Sequence, residues 1–118
     1  MFTFEKLDAW QQAINFTNVV YDQTRSFRPD ERFGPTNQMR RAAVSVSSNL
    51  AEGSSRSSRV DFAWFVEISA GSLFEGISQA FVAKRQESYR LLNSKKLYAI
   101  AERKGKIQSG LRNSLLTG

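Results

Sequence analysis

The stretch that decides the fold is QMRRAAVSVSSNLAEG, residues 38–53. Read as a helix, it places apolar or small residues on one face at every third or fourth position. Its remaining faces are also mostly small, whereas a solvated surface helix carries Lys, Glu and Gln on its outer side. The stretch therefore predicts an inner helix of a bundle, or a helix shared between the core and a subunit contact. The residues of the apolar face are Met39, Ala42, Ala43, Val46, Leu50 and Gly53.

Three more helical patterns surround this stretch, and no segment indicates a strand. Asp8 and Gln11 resemble a capping box at the start of the first helix, and Ser58 is a candidate N-cap for the third. Gly53 is the expected end of the second helix, in the left-handed conformation that glycine favours there. A chain of 118 residues is large enough for one domain with its own core. The predicted helices are residues 8–27, 35–53, 58–88 and 94–116 of a single domain, 1–118.

The third helix carries more apolar side chains than the core of one four-helix bundle can bury. One stripe runs from Phe62 to Ala83, and Trp64, Ile68 and Phe74 extend the apolar surface beyond it. Large exposed apolar patches are rare on monomers and usually mark a contact surface. Gly71 and Gly76 each cost about 1 kcal/mol relative to Ala inside a helix, a cost that close helix approach would offset. The pattern predicts a homo-oligomer.

Positive charge is concentrated in the last third of the chain. The net charge is +6 with a pI near 10.1, and residues 84–112 alone carry nine basic and two acidic residues, a net +7. Such asymmetry favours an anionic partner, nucleic acid first and a membrane surface second. The alternative is a solvated basic helix that serves only solubility. The candidate nucleic-acid-binding residues are Arg40, Arg41, Lys84, Arg85, Arg90, Lys95, Lys96, Arg103, Lys104 and Lys106.

Lys104 also takes part in a second pattern. The fourth helix has an amphipathic stripe in which Lys104 is the one charged residue; its members are Leu97, Ile100, Lys104, Ile107, Leu111 and Leu115. The outer side of the same helix carries Lys95, Lys96, Arg103, Lys106 and Arg112.

The composition argues against an enzyme. The chain has no histidine and no cysteine, which removes most routes to general base catalysis, zinc binding and activated nucleophiles. Two carboxylates could still act together, but Glu67 and Glu75 are two helical turns apart without a recognisable cleft between them. No catalytic residue, metal or cofactor is predicted. There is no signal peptide and no apolar run of transmembrane length, so we expect a cytoplasmic protein.

The whole chain resembles a known family. Residues 38–53 are similar to the signature of the bacterial four-helix-bundle proteins encoded in intervening sequences of 23S ribosomal RNA genes. ISAGSLFE, residues 68–75, looks like the second signature of that family, and FEKLDAWQQA, residues 4–13, resembles its opening. The usual family pattern has Pro where this chain has Ser47, so we expect a less bent second helix. It has Leu where this chain has Gly76, so we expect a different helix packing at that position within the same fold.

The resemblance implies an all-α fold, an antiparallel up-down four-helix bundle that forms a ring-shaped homopentamer. The same superfamily includes the accessory variability determinant of diversity-generating retroelements, a basic pentamer that binds nucleic acid and a reverse transcriptase. Within the signature, polar residues at helical spacing favour a buried or interfacial hydrogen-bond network over a ligand site. Its expected members are Arg41, Ser45, Asn49 and Glu52, with Arg40 an alternative partner for Asn49 or Glu52.

Three functional hypotheses follow. The first is a non-enzymatic, homo-oligomeric protein that binds RNA or DNA, as an rRNA-associated protein or a reverse-transcriptase accessory protein. The second is an oligomeric scaffold that docks a protein partner and has no nucleic-acid role. The third is a hydrolase that depends on Glu67 or Glu75.

Overall fold

The computed structural model describes residues 1–25, 34, 36–85 and 94–117. Within these ranges the chain forms four α-helices and no strand, so the predicted all-α, four-helix class is confirmed. A short 3₁₀ helix, Thr3–Lys6, precedes the first of them. The α-helices are α1 (Asp8–Thr24), α2 (Asn37–Ser54), α3 (Arg59–Lys84) and α4 (Ser94–Thr117).

Consecutive helices run antiparallel, as an up-down bundle requires. Between α1 and α2, the Thr17 hydroxyl donates to the carbonyl of Ala43 at 3.2 Å, and Arg40 donates to Thr24 nearer the loop end. Residues later in α1 therefore meet residues earlier in α2. α4 also packs against α1, which closes the four helices into one bundle.

The α2–α3 and α3–α4 pairs show the same opposite directions. The contacts of α2 with α3 are Gly53 with Phe65, Val46 with Ser69, Ser45 with Ser72, and Ala42 with Gly76. The contacts of α3 with α4 are Arg59 with Ser114, Glu67 with Arg112, Ser69 with Gln108, and Phe81 with Tyr98.

Of the two predicted N-caps, one is confirmed and one is wrong. Ser58 is the N-cap of α3 and accepts from the Asp61 N–H at 3.0 Å, as predicted. The capping role expected of Asp8 is wrong, because Asp8 is the first residue of α1 and Leu7 occupies the N-cap position without a side-chain bond. Asp8 still places a negative charge at the positive end of the helix dipole. The predicted ends of the first and third helices, residues 27 and 88, both lie outside the described residues, and α3 as described runs to Lys84.

Gly53 has a different role from the predicted left-handed helix end. It lies inside α2, and no glycine of the described residues has a positive φ. A Cβ at this position would lie 2.7 Å from Cβ of Phe65 and 3.0 Å from Cδ1 of Phe62. The glycine is therefore required by the close approach of α2 and α3.

Gly76 lies in the same helix pair but is less tightly enclosed than Gly53, because a Cβ there would be in ordinary van der Waals contact. It is buried in α3, and a Cβ there would meet the Ala42 Cβ at 3.6 Å and the Phe16 ring at 3.8 Å. Small residues on both helices thus let α2 and α3 lie close together along their whole length. The core around them is apolar and includes Phe16, Met39, Leu50, Leu73 and Leu97, each at most 1% exposed.

Two outward surfaces of the bundle differ in character. The apolar face of α3 exposes six large hydrophobic side chains, which are Val60, Trp64, Ile68, Phe74, Phe81 and Val82. The outer row of α2 consists of exposed residues, namely Asn37, Arg41, Val44 and Ser48. α2 therefore has one face in the core and another at the surface.

We expect Gly53→Ala to destabilise the protein although alanine is the better helix former. The added methyl group overlaps the Cβ of Phe65, which belongs to the rigid part of its side chain, so α2 and α3 must separate. Overpacking of this kind costs about 1–3 kcal/mol.

Gly110→Ala is the matched control, because Gly110 is exposed within α4 and has nothing within 4 Å of the added methyl. It should raise the free energy of unfolding by up to about 1 kcal/mol, and urea denaturation measures both. A stable Gly53→Ala variant would show that the α2–α3 contact does not depend on this glycine.

Candidate nucleic-acid interface

The antiparallel arrangement gathers six of the predicted cationic residues at one end of the bundle. The start of α2, the end of α3 and the start of α4 lie together there, because α2 pairs with α3 and α3 with α4 in opposite directions. We name this surface the basic end, and its members are Arg40, Arg41, Lys84, Arg85, Lys95 and Lys96. Five of the six are exposed, and Arg40 is partly buried. Cations of α2 thus join cations that lie 43 to 56 positions later in the chain to form one positive surface.

Arg40 and Arg41 hold different positions at the basic end. The Arg40 guanidinium lies 4.5 Å from the centre of the Tyr21 ring, and its Nε donates to Thr24 Oγ1 at 2.9 Å. These contacts fix the side chain and leave its other N–H groups for a ligand. Arg41 makes no hydrogen bond or ion pair with the described part of the chain. It projects between two clefts, of about 420 Å³ beside α3 and about 560 Å³ beside α1.

The opposite end of the bundle has mixed charge. There Glu52 accepts from Arg56 at 2.8 Å, and the Arg59 guanidinium donates to the carbonyls of Ser114 and Leu115. Asp8 and Asp61 are exposed near these groups. In the described residues, charge is therefore distributed unevenly along the bundle, and the excess positive charge lies at the basic end.

The other predicted cationic residues lie elsewhere. Arg103 and Lys106 are exposed on the outer side of α4, within about 100° of Lys95 and Lys96 around the helix. They extend the basic end along α4. Arg90 lies outside the described residues.

Lys104 requires a correction, because it cannot bind phosphate from the surface. It is 1% exposed, and its Nζ donates to the carbonyl of Ala9 in α1 at 2.7 Å. Burial lowers the pKa of the Lys104 amine from its ordinary value of 10.5 to about 8, while the charge of Asp8 opposes this shift. Its place in the apolar stripe of α4 was the sequence signal for this burial, and that pattern takes precedence over its positive charge.

One turn further along α4, Gln108 begins a buried hydrogen-bond chain that the sequence did not indicate. Its Nε2 donates to Ser69 Oγ at 2.7 Å, and Ser69 Oγ donates to the carbonyl of Val46 at 2.7 Å. The chain joins α4, α3 and α2 through the middle of the core. Gln108 Oε1 is buried and has no partner in the described residues. These buried polar groups fix the register of three helices.

The polar network predicted in the signature includes only two of its expected members. Asn49 Nδ2 donates to Ser45 Oγ at 3.0 Å and to the Ser45 carbonyl at 2.9 Å, and Ser45 Oγ lies 2.8 Å from Ser72 Oγ. Arg41 does not join this group, and Glu52 is exposed and pairs with Arg56 instead. Ser72, from the second signature, is the member that sequence analysis missed, because its partner lies 27 residues away.

The two carboxylates considered for catalysis do not form a pair. Glu67 Oε1 accepts from Arg112 Nε in an ion pair between α3 and α4. Glu75 is exposed and accepts from Gln79 at 3.3 Å. Across the described ranges, no three acidic residues lie close enough together to hold a metal ion.

The family model described as "23S rRNA-intervening sequence protein" matches residues 5–110. The chain belongs to this family. The match includes both signatures and all six residues of the basic end. No match to a curated protein was found. Of the helices described, none has the length and apolar character needed to cross a membrane.

We expect Lys104→Met to stabilise the fold at neutral pH by about 1–3 kcal/mol, because it removes the cost of burying an ammonium group. In the wild-type protein the unfolded state binds more protons than the folded state between pH 8 and 10.5, since the folded pKa is the lower one. The free energy of unfolding should therefore rise across that window, and this contribution should disappear in Lys104→Met. Urea denaturation at pH 7, 8, 9 and 10 measures both effects.

Lys106→Met is the control for this experiment, because Lys106 is exposed on the same helix. It should change stability by less than about 0.5 kcal/mol and keep the wild-type pH dependence. A Lys104→Met variant that is less stable than wild type at pH 7 would show that the bond to Ala9 outweighs the burial cost.

Proposed function

We propose that this protein is a non-enzymatic homo-oligomer that binds nucleic acid, RNA before DNA, through its basic end. The observation that carries the proposal is the convergence of the basic end from three helices while the opposite end has mixed charge. Exposed Lys and Arg side chains on one surface neutralise phosphates and give salt-dependent, weakly sequence-specific binding. The name of the family, which refers to 23S rRNA, supports RNA as the first ligand to test.

The basic end suits a backbone ligand better than a single small anion. Its cations are contributed by α2, α3 and α4, and Arg103 and Lys106 continue them along the outer side of α4. Such a surface can follow successive phosphates of one strand or of a structured RNA. Oligomer formation would repeat it once per subunit and raise the avidity without any new contact.

The apolar face of α3 supports the homo-oligomer, because a monomer would leave that face in water. The family resemblance also implies a pentamer and a reverse-transcriptase partner. We propose both as the more specific form of this function. The non-enzymatic part is supported by the separation of Glu67 from Glu75 and by the pairing of Glu67 with Arg112. We propose the cytoplasm as the compartment where an rRNA-associated protein would act.

The second candidate function is an oligomeric scaffold for a protein partner, which the exposed apolar face of α3 also favours. In that case the basic end serves solubility or contacts an acidic protein. Nucleic-acid titration separates the two functions, because a scaffold predicts no binding to RNA or DNA even at low salt.

We expect the protein to bind a labelled structured RNA with an affinity that falls steeply with salt. Each phosphate contact contributes about 0.7–0.9 to the slope of log K against log salt concentration, so several contacts per subunit give a slope of several units. Fluorescence anisotropy titrations of structured RNA and duplex DNA, at a series of salt concentrations, measure the slope and the preference. No binding at low salt by the folded protein would contradict the proposal.

Charge reversal tests the basic end itself. The double substitution of Lys95→Glu and Lys96→Glu should weaken binding by roughly tenfold or more at low salt and reduce the salt slope by about 2. The matched control is the double substitution of Lys6→Glu and Arg56→Glu at the opposite end, which changes the net charge equally. Size-exclusion chromatography should show the same oligomer for both variants. Equal loss of binding in the two variants would indicate a general effect of net charge and would contradict the assignment to the basic end.

A further inference from the structure

Two half-exposed aromatic rings meet between α3 and α4, beside the basic end. Phe81 is 45% exposed and Tyr98 is 51% exposed, and their ring centroids lie 6.3 Å apart with an angle of 68° between the ring planes. An edge-to-face contact of this kind holds both rings in place without stacking one ring face on the other. We name these two residues the aromatic pair. A covered aromatic side chain buries about 150–250 Å², so the exposed halves of the pair together offer a ligand roughly 200 Å².

Positive charge lies one helical turn from each ring of the aromatic pair. Lys84 and Arg85 follow Phe81 by three and four residues at the end of α3, and Lys95 precedes Tyr98 by three residues in α4. Residues three or four apart are neighbours on the surface of a helix. All three cations are exposed. The surface therefore alternates cations with aromatic rings, as a nucleic-acid strand alternates phosphates with bases.

A cleft of about 370 Å³ opens beside Phe81 along α3. Among the described residues that line it, Arg85 is the only one with a charge and Ser78 the only other polar one. The apolar lining residues are Phe74, Ile77, Phe81 and Val82. A flat group that carries an anion fits such a cleft, because its plane can lie on the aromatic ring while its charge faces Arg85. A nucleotide is a group of this kind.

Exposed aromatic rings distinguish unpaired from paired nucleic acid. In a duplex the bases stack on one another, so their faces are not available to a protein side chain. In a loop, a bulge or a strand end the bases can stack on aromatic rings, which contributes about five- to 150-fold in affinity per base. Cations alone bind both forms through their phosphates. Rings placed among the cations of the basic end therefore favour a single-stranded ligand.

We infer that the aromatic pair stacks unpaired bases of a nucleic-acid strand while cations of the basic end hold the neighbouring phosphates. The inference rests on the proposed function and specifies its ligand class as a single-stranded segment. Tyr98 provides the main stacking surface, because it belongs to α4 and lies outside the apolar face of α3 that supports the homo-oligomer. RNA and DNA strands share this chemistry, and the test below compares them.

Anisotropy titrations with matched ligands test the ligand class. The ligands are an unstructured single-stranded RNA, the single-stranded DNA of the same sequence, and the duplex form of each. A duplex has the higher charge density, so a surface that binds only phosphates prefers the duplex. We expect the wild-type protein to bind the single strands at least as tightly as the duplexes at the same salt concentration.

Substitution of the ring separates stacking from charge. Tyr98→Ala should weaken binding of the single strands about fivefold or more and change duplex binding by less than about twofold. Its salt slope should equal that of the wild type, because no phosphate contact is lost. Tyr98→Phe keeps the ring and should bind as the wild type does. The matched control is Phe2→Ala, which removes a ring that is 72% exposed at the opposite end of the bundle and should change neither affinity.

Photochemical cross-linking identifies the residue that contacts the base. A strand that carries iodouridine is bound and irradiated, and the cross-linked peptide is sequenced by mass spectrometry. We expect the cross-link at Tyr98 or Phe81, since a stacked base lies in contact with the ring. A cross-link found only at other residues would overturn the inference.

The outcomes distinguish this inference from the proposed function. A folded protein that binds neither strand nor duplex at low salt overturns both. Unchanged strand binding by Tyr98→Ala, or an equal loss of strand and duplex binding, overturns the stacking and leaves the basic end as a phosphate-binding surface. Light scattering on Tyr98→Ala should give the wild-type copy number. A changed copy number would assign Tyr98 to a contact between subunits and would also overturn the inference.

Discussion

The structure depends on the close contact between α2 and α3. Gly53 lies against Phe65 at one end of this contact, where no Cβ fits, and Gly76 lies against Ala42 towards the other, where a Cβ would be in ordinary van der Waals contact. The tight fit at Gly53 and the polar pairs between the two helices favour one register. That register places Ser45 beside Ser72 and Val46 beside Ser69. The positions of the remaining helices, and of the charges at the bundle ends, follow from it.

The buried polar groups add specificity to this packing at some cost in stability. Gln108 joins α4 to Ser69 of α3 and, through it, to the carbonyl of Val46 in α2, while Lys104 joins α4 to Ala9 of α1. A buried ammonium group is unfavourable, and well-packed apolar residues commonly do better. The polar groups fix the orientation of α4, because an apolar stripe alone can rotate or slide against the other helices. The bundle thereby keeps the start of α4 beside the end of α3.

Sequence patterns predicted the helices and their faces because those depend on neighbours three or four residues apart. The core stripe from Met39 to Leu50 and the place of Lys104 in the stripe of α4 are of this local kind. A glycine in a sequence can indicate either a helix end or a close contact between helices. Gly53 was therefore predicted to end a helix, although it is required for close packing. The Gln108–Ser69 bond and the basic end join residues far apart in the chain. They depend on the helix register, which the spacing of apolar residues does not specify on its own.

The two surfaces that support the proposals adjoin each other, because Arg85 of the basic end lines the same cleft as Phe74 and Phe81 of the apolar face of α3. The apolar face of α3 extends along the side of the bundle, whereas the basic end lies across its tip. When copies are related by rotation about an axis parallel to the helices, their sides meet and their basic ends all fall on the same rim. Side-by-side association would then concentrate positive charge on one rim. A polyanion longer than one subunit would contact several basic ends at once, so weak individual phosphate contacts would add up to stable binding.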